Sequence, residues 1–174
     1  MSDLKILVTG ANGFVGSHLI ERLVQEDYDV TGLVGSSSMM SFFEKSKTKK
    51  VKIIKADLSQ NTCIEPEEPI DVIVHTAARS PGVGVSVEKM VCDNVIATRN
   101  LVNYAEKAGI TKIIFLSTLS IHGLVEEKVL NEQTPIHNPA PYGVSKFLCE
   151  QLLADKAKSI DSIAIRLPGI IGRN

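Results

Sequence analysis

Short runs of almost unbroken apolar residues, each followed by a longer segment of helical pattern, constrain this 174-residue chain more than any other feature. Ile6-Leu7-Val8, Val72-Ile73-Val74 and Ile113-Ile114-Phe115-Leu116 lack the in-out alternation of a strand with one wet face. They read as strands buried on both faces, which is how parallel strands look when helices cover the sheet. The series runs Leu4 to Thr9, Asp29 to Val34, Val51 to Lys55, Asp71 to Thr76, Lys112 to Ser117 and Ser162 to Leu167. Between them, helical patterns extend from Gly13 toward Asp27, from about Glu88 to Ala108, and from Tyr142 to about Lys158. Six strands with helical crossovers predict an α/β fold with a doubly wound parallel sheet. In the Glu88 to Ala108 helix, Val91, Val95, Thr98, Leu101, Val102 and Ala105 form one apolar stripe, and Gly109 is placed to end it with positive φ.

Composition bounds the rest. With 44% apolar residues and a net charge of -1, the chain can bury one core, and residues 1–174 are expected to form one domain. No field of positive charge points to nucleic acid or an anionic membrane. The local exception is Lys45, Lys47, Lys49, Lys50 and Lys52, either a solvated helix end and loop or a patch beside a phosphate-bearing ligand. No stretch reaches the roughly 20 apolar residues of a membrane span. The start opens into a strand without an export signal, and the expected location is the cytoplasm. Cys63, Cys92 and Cys149 are odd in number and far apart, which fits reduced thiols. His18, His122 and His137 have no metal-ligand spacing, so no metal is predicted.

Two motifs carry chemistry. Gly10-Ala-Asn-Gly13-Phe-Val-Gly16 follows the first strand and opens a helix. There Gly13 lets backbone approach a pyrophosphate, Gly16 allows close helix-to-sheet packing, and the helix N-terminus favours negative charge. The predicted ligand is a nicotinamide dinucleotide. Tyr142 and Lys146 stand four apart on a helix and share a face. A neighbouring ammonium favours ionisation of a phenol that otherwise titrates near pH 10, which makes Tyr142 a general acid/base candidate. The loops Arg79 to Val87 and Gly123 to Pro141 follow strand ends and are candidate binding loops. At the end of the second strand, where an NAD site carries an acidic residue, Val34 stands instead; Ser36, Ser37 or Ser38 could meet a 2'-phosphate. NAD and NADP stay open, with a slight lean to NADP.

The G-x-x-G-x-x-G spacing, with the residues that follow, resembles the extended branch of the short-chain dehydrogenase/reductase family, which contains nucleotide-sugar epimerases and dehydratases. The resemblance runs through the whole chain. It rests on Thr9 to Gly16, Asp57-Leu58, His75-Thr76-Ala77-Ala78, Asn94 to Thr98, Leu116 to Gly123, Tyr142 to Lys146 and Arg166 to Gly172. It implies a Rossmann fold with strand order 3-2-1-4-5-6. It also implies cofactor contacts by Gly10, Asn12, Gly13, Phe14, Val15, Gly16, Ser36, Asp57, Leu58, Thr76, Ala77, Ala78, Asn94 and Lys146. Asp57 also reads as a turn or cap residue, Asn94 as a plain helix polar residue, and His75 as structural. Counting back from Gly123, the resemblance makes Thr118 the catalytic hydroxyl, with Ser117 the neighbouring alternative, alongside Tyr142 and Lys146. His122 stands where the family has tyrosine.

The implied activity is NAD(P)-dependent epimerisation or dehydration of a nucleotide sugar through a transient keto sugar. The alternatives are a reductase or dehydrogenase of a hydroxysteroid-like or flavonoid-like substrate, and a non-catalytic dinucleotide sensor. By the same resemblance, a C-terminal substrate-binding portion is expected beyond Asn174, and a homodimer is expected to form through the helices at Glu88 to Ala108 and Tyr142 to Lys158.

Overall fold

A computed structural model describes residues 4–35, 51–60, 64–156 and 158–172. Six strands form one sheet: β1 (Lys5–Thr9), β2 (Asp29–Val34), β3 (Lys52–Lys55), β4 (Val72–His75), β5 (Lys112–Thr118) and β6 (Asp161–Leu167). Their order is β3-β2-β1-β4-β5-β6 and every pairing is parallel. The doubly wound sheet expected from the apolar runs is therefore present, with the expected strand order.

The two faces follow from strand alternation. On one side Leu7, Leu33, Ile73, Ile113 and Phe115 pack against Leu101, Val102, Ala105, Cys149 and Leu153. Those partners belong to helices α3 (Ala97–Ala108) and α4 (Pro141–Asp155). On the other side Ile6, Val8, Val30, Val34 and Val74 pack against Ile20, with Leu19, Leu23 and Val24 beside it, all on α1 (Phe14–Gln25). Cover on this second face thins toward β6. Ile163 and Ile165, which pair in register with Ile114 and Leu116, are 52% and 42% exposed.

The segment expected as one continuous helix from about Glu88 to Ala108 departs from that form. It begins as α2 (Val87–Val91), capped by Ser86, passes through a π-helical turn at Cys92–Ile96, and continues as α3. The wide turn shifts the phase of the buried stripe. Thr98, Leu101, Val102 and Ala105 face inward as expected, but Met90, Asn94 and Ala97 replace Val91, which is 37% exposed. Gly109 ends the helix at φ 72°, as its position predicted. Cys92 is exposed and Cys149 buried, both as free thiols. Ser36, Cys63 and the Lys45 to Lys50 part of the basic stretch lie outside the described residues; Lys52 pairs with Glu68 at 2.6 Å.

Candidate active site

A cleft of about 400 Å3 opens over the carboxyl ends of the first four strands. Gly10, Asn12, Gly13, Asp57, Leu58, Thr76, Ala77 and Ala78 line it, together with Leu33, Gly35, Ser59, Arg79, Lys89 and Asp93. The glycines differ in what requires them. Gly10 has φ +66°, and a Cβ there would lie 2.7 Å from the Ala77 backbone. A Cβ on Gly16 would overlap the Gly10 carbonyl, so that glycine sets the approach of α1 to the turn. At Gly13 φ is an ordinary -75°, and a Cβ would meet only the Gly10 oxygen, at 3.1 Å. Because Gly13 lines the cleft, a side chain there would fill the cradle at the N-terminus of α1. That open cradle beneath a helix terminus fits the phosphates of a dinucleotide.

Several expected contacts are placed elsewhere. Phe14, Val15, Gly16, Asn94 and Lys146 are not in the lining of this cleft. The Phe14 ring lies 4.8 Å from the His18 ring and close to Gly172, where a Cβ would fall 2.5 Å from it. Asn94 is 2% exposed, and both ends of its amide are hydrogen-bonded. Its Oδ1 accepts from Arg79 N at 2.6 Å, while its Nδ2 donates to Arg79 O at 3.1 Å and to Ser145 Oγ at 2.9 Å. Its neighbour Asp93 lines the cleft instead and pairs with Arg79 and Lys89 at 2.6 and 2.8 Å. Both readings of Asp57 coexist: it lines the cleft, and its Oδ1 accepts from Ser59 N and Ser59 Oγ at 2.9 and 2.6 Å in an Asx turn. Val34 is fully buried, while Leu33 and Gly35 flank the cleft.

One strand further across the sheet lie the residues of proton chemistry. Lys146 is 2% exposed, and its Nζ stands 4.0 Å from the centroid of the Phe115 ring. Burial pulls its pKa down to about 8, opposed by the neighbouring Glu150 carboxylate. Tyr142, one helical turn earlier, is half-buried; burial pushes its phenol above the usual value, and a hydrogen bond with the Ser80 side chain opposes that rise. The Lys146 ammonium rests on the Phe115 face, a favourable cation–π position. Thr118 caps the 3-10 turn at Leu119–His122. Its Oγ1 accepts from Ser120 N and donates to Ser120 Oγ, both at 3.1 Å. Ser117 Oγ, on the Phe115 side of β5, is buried with no hydrogen-bond partner. Such a group costs about 1–3 kcal/mol unless something pairs with it.

Gly143 went unnoticed in the sequence because a helical glycine usually signals only lower propensity. Its Cβ would overlap the Ser120 carbonyl, so it lets the first turn of α4 sit directly on the turn that carries Thr118. Ser80 was equally unmarked, one small residue among several.

His75 is structural, as read from the sequence. Thr98 Oγ1 donates to Asn94 O at 2.7 Å and so can only accept from His75 Nε2, at 3.0 Å. Nδ1 is then bare and accepts from Thr9 Oγ1 at 2.6 Å, while Thr9 Oγ1 accepts from Ala77 N at 3.3 Å. The chain of donors runs one way and requires a neutral ring. Burial, with the Lys146 charge, holds its pKa down at about 3. His122 is also buried. Its Nε2 faces Arg166 Nη1 at 3.5 Å and must accept, leaving Nδ1–H to donate to Pro135 O at 3.3 Å. Arg166 in turn grips Glu150 with Nε and Nη2 at 3.1 and 2.8 Å, tying β6 to α4.

The strand order and the glycine cradle define a Rossmann-like domain built for a dinucleotide. Residues 6–174 match the NAD dependent epimerase/dehydratase family, and the chain belongs to that family. It is 30% identical over 175 residues to a putative UDP-glucose 4-epimerase of Methanocaldococcus jannaschii, covering 96% of this chain and 56% of that protein. It is 31% identical to the UDP-glucose 4-epimerase of Erwinia amylovora, over 97% of this chain and 54% of the relative. Among solved structures, the Bifidobacterium longum UDP-glucose 4-epimerase in complex with NAD+ and UDP superposes with a TM-score of 0.80 at 28% identity, covering 93% of this chain and 52% of that one. The chain thus spans about half the length of the curated relatives it matches. These comparisons support NAD and give no support to the lean toward NADP, whose basis was the missing carboxylate at Val34 and the serines at Ser36, Ser37 and Ser38. Among the described residues no helix is long and apolar enough to cross a membrane.

Proposed function

We propose that this chain is the cofactor-binding part of an NAD-dependent epimerase/dehydratase that acts on a nucleotide-linked sugar, in the manner of UDP-glucose 4-epimerases. The observation that carries the reading is the juxtaposition on one sheet of the Gly13 cradle and, beyond the Thr76 to Ser80 segment, the Tyr142 and Lys146 pair. Bound NAD supplies the hydride acceptor and donor. Tyr142 accepts the proton of a sugar hydroxyl as its carbon becomes a ketone, and returns a proton when the ketone is reduced. Thr118 releases its hydroxyl from Ser120 to hydrogen-bond the reacting oxygen. Lys146 contributes positive charge and donors for ribose hydroxyls. Ser117, with a buried hydroxyl in need of a partner, is the second hydroxyl available at that strand end.

Calorimetric titration of the chain with NAD and NADP tests the cofactor, with NAD expected to bind more tightly. A chain extended to the length of its relatives is then expected to interconvert UDP-glucose and UDP-galactose, with Tyr142→Phe binding NAD but not turning over. Net accumulation of NADH with the substrate would point to a dehydrogenase instead.

A further inference from the structure

Arg79 and Lys89 are the only cationic side chains that line the cleft among the described residues, and they stand there against the carboxylates of Asp57 and Asp93. A dinucleotide brings charged phosphates into that space, so the placement of these cations decides whether the cleft attracts or repels it. Arg79 is held at backbone and side chain together. Asn94, itself buried, accepts from the Arg79 N–H with Oδ1 at 2.6 Å and donates to the Arg79 carbonyl from Nδ2 at 3.1 Å. Asp93 Oδ2 accepts from Arg79 Nε at 2.6 Å. Asp93 also accepts from Lys89 Nζ, at 2.8 and 3.0 Å, which draws the second cation to the same carboxylate. The grip of Asp93 uses one N–H of the guanidinium, and the four on Nη1 and Nη2 make no further hydrogen bond among the described residues. The side chain is 48% exposed. An arginine anchored at its backbone and Nε, with its fork open to a cleft, is arranged to meet a second anion.

The glycine turn lies close by. A Cβ at Gly10 would fall 2.7 Å from the Ala77 backbone, and Arg79 follows Ala77 by two residues, at most about 7 Å along the chain. We propose that Arg79, with Lys89 beside it, binds the pyrophosphate of the dinucleotide from the β4 side of the cleft, while Gly13 and the terminus of α1 receive it from the β1 side. The inference rests on NAD occupying this cleft, and it adds a binding residue that the glycine motif does not announce. A helix terminus offers a partial charge, whereas a guanidinium brings a full charge and paired donors matched to phosphate oxygens. Asp93 and Asn94, adjacent in the π-helical turn, divide the positioning: one holds the side chain and the other the backbone.

The test compares ligands with and without the pyrophosphate. NAD and ADP-ribose carry it and adenosine does not; each is titrated into the parent chain and into Arg79→Ala, with adenosine followed by amide chemical shifts. Because the Arg79 side chain and its ion pair are partly exposed, the substitution is expected to leave the fold intact, which a melting curve checks. Arg79→Ala is expected to weaken NAD and ADP-ribose about tenfold or more, the scale of a hydrogen bond to a charged group, and to leave adenosine unchanged. It is also expected to flatten the dependence of NAD affinity on salt, which loss of a purely structural contact would not do. Arg79→Lys keeps the charge but loses Nε and the fork, and is expected to restore the salt dependence with only part of the affinity. Equal NAD affinity in the parent and Arg79→Ala overturns the inference and leaves the proposed function standing. An equal loss for NAD and adenosine also overturns it, since the damage is then to the cleft as a whole. A folded parent chain that binds neither NAD nor ADP-ribose overturns the proposed function, and this inference with it.

Discussion

At the scale of single residues, two buried bases set the pH behaviour. The folded chain keeps His75 neutral down to about pH 3, whereas the unfolded chain protonates it near 6.5. Between those values the unfolded state holds the extra proton, so stability falls as pH falls, by about 1.4 kcal/mol per unit. In urea unfolding, His75→Gln is expected to start from lower stability but to lose less of it between pH 6 and roughly 4. Lys146 works on the alkaline side. Its folded pKa of about 8 lies below the ordinary 10.5, so its burial penalty is fully present below pH 8 and disappears as pH rises toward 10.5. Lys146→Met is therefore expected to be more stable than the parent at pH 7, by at most about 3 kcal/mol, and the two unfolding curves should converge by about pH 10. A constant difference across that range would mean that desolvation is not what depresses this lysine.

At the scale of elements, glycines with similar sequence roles separate by what surrounds them. Gly13→Val is expected to cost about 1 kcal/mol, since its Cβ presses the Gly10 carbonyl oxygen at 3.1 Å at the N-cap of α1, while weakening NAD binding more than about tenfold because the side chain fills the cradle. Gly143→Ala is expected to cost roughly 1–3 kcal/mol through overpacking against Ser120, and in an extended enzyme to lower turnover more than NAD affinity, since it moves Tyr142 relative to Thr118. Much of this architecture was legible in the chain. Strands buried on both faces announce themselves as unbroken apolar runs, and a glycine turn between strand and helix has few other uses. The π-helical turn was not legible, because Cys92 to Ile96 has no local signature for it; its partners are Arg79, Ser145 and Cys149, distant in sequence. For the same reason the sequence left Asn94 open between a cofactor contact and a plain helix polar residue, while the wide turn brings its neighbour Asp93 to the cleft.

At the scale of the whole molecule, the sheet is protected unevenly. β1 and β4 lie between other strands with both faces covered, whereas β6 pairs only with β5 among the described residues. Amide hydrogen exchange is expected to be slowest in β1 and β4 and faster by about tenfold or more along β6; equal protection would mean that the sheet opens only as a unit. The two borders of the sheet also carry different side chains. β3 is four residues long with lysines at both ends, the kind of charged, short border that repels another strand. β6 is seven residues long, with Ile163 and Ile165 half in water. The molecule thus has one border that refuses company and one that invites it, and in concentrated solution its stickiness should have a direction.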